Sequence, residues 1–135
     1  MGARHLELVR DSPAYDASEW PLFVVTMPPV PLGADGFRAH LEGCRAPYRR
    51  MQPFVMLINM GRHPPLDADQ RRAVSHAIKA YNERYPGLHR ALAIVVRSRL
   101  ERGIVTAISW VAKPPYPFAA FETVDEAKAW LLEKL

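Results

Sequence analysis

Residues Arg99 to Leu135 read RLERGIVTAISWVAKPPYPFAAFETVDEAKAWLLEKL, and this stretch decides the fold. Leu100, Ile104, Ala107, Ile108 and Val111 recur at helical spacing, which predicts a helix over Arg99–Ala112 with that stripe facing inward. Lys113-Pro-Pro-Tyr-Pro117 cannot continue it, because proline lacks an amide donor and its ring clashes with the preceding turn. Phe118–Phe121 reads as a short strand, and Val124–Leu135 returns to helical spacing with Val124, Ala127 and Leu131 inward. Both helix starts, Ser98-Arg-Leu-Glu101 and Thr123-Val-Asp-Glu126, have the form of a capping box, in which hydroxyl and carboxylate satisfy orphan amides reciprocally. No catalytic or cofactor motif falls here, so the stretch speaks to fold rather than to a reaction.

Reading outward, Ala91–Val96 is an unbroken apolar run of strand length. The longest helix precedes it, opened by Asp67-Ala-Asp-Gln70, striped by Val74, Ala77, Ile78, Tyr81 and Tyr85, and stopped by Pro86-Gly87. Phe54–Met60 is a second buried run and the predicted central strand, ended by Gly61-Arg62-His63-Pro64-Pro65. A further helix starts at Asp35, with Phe37, Leu41 and Cys44 on one face, and its regular part ends near Ala46 before Pro47. Cys44 on that face reads as a small buried hydrophobe rather than a nucleophile. Leu22–Met27, between Pro21 and Pro28, is a strand buried on both faces, while Arg10–Glu19 reads as a polar loop and Leu6–Val9 as a short edge strand. Buried strands alternating with amphipathic helices predict a single-domain α/β sandwich over residues 1–135. Its mostly parallel central sheet has about five strands, with an N-terminal hairpin strand and four helices.

The bulk numbers agree with one globular domain: 135 residues, 49% hydrophobic and 24% charged. No run approaches the length of a membrane span, and His5, Glu7 and Arg10 interrupt any secretory signal at the N-terminus. One cysteine excludes an internal disulfide, so a reducing cytoplasm is the expected compartment. The net charge of +4 is too diffuse to imply a polybasic segment.

Several features together carry a resemblance: the strand Ala91–Val96, Arg102-Gly103, Ala107-Ile-Ser-Trp110, the proline hinge, and Phe121-Glu-Thr-Val-Asp-Glu-Ala127 running into Ala129-Trp130-Leu131. From about Phe54 to Leu135 the chain resembles the SpoIIAA-like branch of the bacterial STAS superfamily, the fold of anti-sigma-factor antagonists. That resemblance implies a non-catalytic regulatory module that binds a protein partner. Such proteins carry an Asp-Ser-Ser-Gly type turn after the central strand, where a serine is phosphorylated. The matching Asn59-Met-Gly-Arg-His-Pro-Pro-Leu-Asp-Ala-Asp69 has no Ser or Thr, so phosphoserine switching there is not expected.

In open parallel sheets, ligands favour the carboxyl ends of the strands, where helix N-termini present unpaired amides. That edge collects Arg62, His63, Asp67, Arg97 and Arg99, the candidate partner- or anion-binding residues, although loop arginines are more often solvated charges. The five histidines show no metal-ligand spacing, and no nucleophile elbow or phosphate loop occurs. Catalytic residues, cofactor and metal are therefore all expected to be absent. The leading expectation is a protein-interaction module. The alternative is a carrier or sensor of a small anionic or amphipathic ligand, which a pocket of a few hundred Å³ with converging polar groups would favour over a flat patch. Arg45, Tyr48, Arg49 and Arg50 make only a weak nucleic-acid signal, and self-association is left open.

Overall fold

Strands follow one another across the sheet in their order along the chain, and that order determines where everything else lies. The structure, a computed structural model, describes residues 11–135 apart from the side chains of 107–112. Strand β1 (Ala14–Glu19) pairs antiparallel with β2 (Leu22–Thr26), and β3 (Phe54–Gly61), β4 (His89–Val96) and β5 (Phe118–Phe121) add in parallel, in the order β1-β2-β3-β4-β5. Helix α1 (Ala34–Gly43), followed by a 3-10 turn at Ala46–Arg50, joins β2 to β3. Helix α2 (Ala68–Arg84) joins β3 to β4, α3 (Arg99–Ala112) joins β4 to β5, and α4 (Val124–Leu132) closes the chain.

A right-handed crossover that always steps the same way along a sheet leaves every connecting helix on the same face. Phe37 of α1, Val74, Ile78 and Tyr81 of α2, and Val105 of α3 accordingly pack with Phe23, Val25, Met56, Leu92 and Ile94. The opposite face, Leu22, Val55, Leu57, Ala91, Ala93 and Val95, is packed by Ala127 and Leu131 of α4. Burial on both faces is why β2, β3 and β4 read as continuous apolar runs rather than alternating ones.

The α/β sandwich with a five-stranded, mostly parallel sheet, an N-terminal hairpin and four helices is as the sequence predicts, but the segment that pairs with β2 is a different one. Leu6–Val9 lies outside the described residues. The partner of β2 is Ala14–Glu19, within the segment expected to be a polar loop. Its Asp, Ser and Glu look like turn residues, yet an edge strand tolerates outward charge, and Tyr15 and Ala17 still pack inward. Asp16 accepts from the Ser18 amide at 2.8 Å where the register slips between Asp16 and Glu19, which accounts for the turn-like composition.

Helix ends differ in detail. Helix α1 stops at Gly43 instead of near Ala46, and Pro47 enters the 3-10 turn; the last helix stops at Leu132 instead of Leu135. Ser98 and Thr123 do cap, through bonds from the amides of Glu101 (2.9 Å) and Glu126 (3.2 Å). The complete reciprocal box stands at Asp67, whose carboxylate accepts from the Gln70 amide at 2.8 Å while Gln70 Oε1 accepts from the Asp67 amide at 3.1 Å. In α3 the expected inward stripe is not fully buried: Leu100 is 75% exposed and Ile104 45%. Leu100 is turned to solvent, and Ile104 stands over a gap rather than over a packed core.

Candidate functional site

That gap is a cleft of about 240 Å³ between the helix-bearing face of the sheet and helices α1, α2 and α3. Its floor comes from the carboxyl-terminal halves of the strands, including Ile58, Met60, Ile94 and Val96, with Phe118 at the side. Val74 and Ile78 of α2 face Ile104 and Val105 of α3 across it. The walls are apolar because each strand residue here belongs to the same alternate set that forms the core below.

Five polar or ionisable side chains interrupt the lining: His40, His63, Arg71, Ser75 and Glu101. His63 is placed by the end of β3. Gly61 adopts φ +51, a conformation glycine reaches without strain, and its amide donates to Asn59 Oδ1 at 3.1 Å. The chain turns back, the His63 amide donates to the Met60 carbonyl at 2.7 Å, and the imidazole swings under the end of β2. There His63 Nδ1 donates to the Pro28 carbonyl at 2.7 Å, and the residue is only 4% exposed. Arg71, one turn into α2, donates from a guanidinium nitrogen to the Leu66 carbonyl at 2.7 Å.

His40 belongs to a short chain of bonds running away from the cleft. Tyr15 Oη is 3.0 Å from His40 Nδ1 and donates to the His40 carbonyl at 3.3 Å, while Cys44 Sγ lies 3.9 Å from His40 Nε2. Burial pushes the Cys44 thiol up to about 12 and the His40 imidazole down to about 4. A reactive cysteine needs the reverse, a thiolate beside an imidazolium. The pair is built to stay neutral, and its helical i, i+4 spacing serves packing. Among the described residues, no three His, Cys, Asp or Glu side chains are grouped to hold a metal ion.

Of the five residues singled out in the sequence, His63 lines the cleft, buried rather than displayed. Asp67 is committed to its capping box. Arg62, Arg97 and Arg99 are exposed and take part in none of the ion pairs among the described residues. The Arg97 carbonyl accepts from the Arg102 guanidinium at 3.0 Å, which holds the exit of β4 against α3. The cleft itself lies under the helices rather than outside the strand ends, because a sequential strand order has no point at which successive crossovers part to opposite faces. Arg71, Ser75 and Glu101 were not anticipated. The signal was present in α2, where Arg71 and Ser75 sit four residues apart beside the inward stripe of Val74 and Ile78, polar groups on a face that should be apolar.

Sheet order, helix placement and the closing helix define an α/β protein with a SpoIIAA-like fold. Among solved structures, the chain is similar to an uncharacterized protein of the DUF3478 family with a SpoIIAA-like fold from Shewanella loihica PV-4. The two share 15% identity over 89% of this chain and 92% of that one, with a TM-score of 0.63. No protein-family model matches the sequence, and no curated protein does. Among the described residues, no helix is long and apolar enough to cross a membrane.

Proposed function

We propose that this chain is a non-catalytic carrier or sensor of a small amphipathic ligand held in the cleft between the sheet and helices α1–α3. The observation that supports this reading is the cleft itself: a concave, apolar space of about 240 Å³ with a few polar groups in its lining, the form small-molecule sites take. A cavity of roughly 150 Å³ accepts benzene, so this one suits a body of about ten non-hydrogen atoms. Arg71 and Glu101 contribute one formal charge of each sign to the lining, which favours an amphipathic occupant over an anionic one. The test is calorimetric titration of para-ethylphenol into the wild type and into Ser75→Phe, where the added ring would fill the space. Binding by the wild type that is lost in the folded variant supports the reading; equal binding by both refutes it.

A second reading, a protein partner docking on the loop edge, is favoured by the exposed and unpaired Arg62, Arg97 and Arg99. Capture of an acidic partner by the wild type but not by Arg62→Glu/Arg99→Glu would support it. Capture that survives the charge reversal would remove that edge as the docking site.

A further inference from the structure

The tie between His63 and Pro28 fixes more than the position of a ring. A backbone carbonyl can only accept, so at 2.7 Å the proton of that bond belongs to His63 Nδ1. In the neutral imidazole the other nitrogen, Nε2, is then a bare acceptor. None of the hydrogen bonds among the described residues satisfies Nε2, and the ring that carries it is almost wholly buried and lines the cleft.

An acceptor in an apolar space loses its bond to water when a ligand fills that space, and leaving it unpaired is costly. The occupant that avoids the cost carries a donor. The other ring histidine of the lining cannot play this part, since His40 Nδ1 is engaged by Tyr15 and its Nε2 is turned toward Cys44. Arg71 offers donors only, and Glu101 opposes an anion with its own charge.

We infer that the cleft selects a neutral ligand whose hydroxyl group donates a hydrogen bond to His63 Nε2, with an apolar body of aryl or short alkyl size lying over Ile58, Ile94 and Phe118. This inference rests on the carrier reading and names the head group that reading leaves open.

Four probes of one shape separate the two claims: ethylbenzene, para-ethylphenol, its methyl ether para-ethylanisole, and para-ethylbenzoate. The ether keeps the oxygen but cannot donate. Each is titrated into the wild type and into His63→Asn, in which the side-chain amide nitrogen can take the place of Nδ1 on the Pro28 carbonyl, Oδ1 falls at the place of Cδ2, and no atom reaches the position of Nε2. The phenol is expected to bind the wild type about tenfold more tightly than the ether, the factor one net hydrogen bond supplies. In folded His63→Asn that preference should disappear while ethylbenzene binds as before. Binding without a phenol preference, or the benzoate binding most tightly, overturns the head-group assignment and leaves the cleft reading standing. If none of the four binds the wild type, the cleft reading falls and takes this inference with it.

Discussion

Tyr48 Oη and His89 Nδ1 are hydrogen-bonded at 3.0 Å, which ties the 3-10 turn after α1 to the first residue of β4. The imidazole is stacked on Phe54, 4.8 Å between ring centres, and lies 4.0 Å from the ring of Tyr116. Aromatic rings therefore close the amino end of the sheet, whereas the carboxyl end stays open as the cleft. Tyr48→Phe keeps the packing and removes only the hydroxyl, leaving a buried ring nitrogen without its partner. We predict a loss of about 1–3 kcal/mol in denaturant unfolding, with no change in cleft binding.

Buried histidines give the protein an acid limit. Desolvation lowers His89 to about 3 and His40 to about 4, against 6.5 for an exposed imidazole. Below 6.5 the unfolded chain takes up protons that the folded chain refuses, so stability falls as pH drops. The loss runs from about pH 6.5 down to the folded values, at roughly 1.4 kcal/mol per pH unit for each group. Unfolding midpoints measured from pH 8 to pH 4 should be flat at first and then decline. His40→Asn should shallow the decline, and an unchanged slope in that variant would contradict the assignment.

Gly43 is required by a close approach. A methyl group there would sit 2.5 Å from Cζ of Tyr15 and 2.7 Å from its hydroxyl. The ring would have to leave, breaking its bond to His40. Gly43→Ala should cost about 1–3 kcal/mol, the range of overpacking. Placed on a Tyr15→Ala background the same change should cost much less, so a double-mutant cycle reads the coupling directly.

Charge reversal at Arg62 and Arg99 should leave the fold untouched, since both side chains are exposed and outside the ion pairs described. Thermal unfolding of Arg62→Glu/Arg99→Glu is expected within about 0.5 kcal/mol of the wild type. Affinity of the cleft for para-ethylphenol should be unchanged, which separates the two functional readings.

The strands and helices that bury apolar residues were legible because their periods reflect one physical demand. The runs at Leu22, Phe54 and Ala91 and the stripe of α2 are examples. Strand β1 was hidden because an edge strand needs only one inward side chain in two, and Ala14–Glu19 supplies Tyr15 and Ala17 among turn-forming residues. The candidate site was half legible: Gly61-Arg-His63 marked the turn, but nothing local shows that His63 goes under Pro28 while Arg62 stays out. The cleft was legible least of all. Met60, Ile94 and Val96 look like any core residues, and an empty volume between correctly formed elements depends on how far α3 stands from the sheet, which no periodicity encodes.

Occupation of the cleft is tested most directly by a methyl-resolved NMR titration of the wild type with para-ethylphenol. Saturable shifts are expected at the methyls of Ile58, Val74, Ile78 and Ile94, with Leu22, Val55 and Leu131 on the opposite face unmoved. Shifts centred on that opposite face, or none at all at millimolar probe, would contradict it.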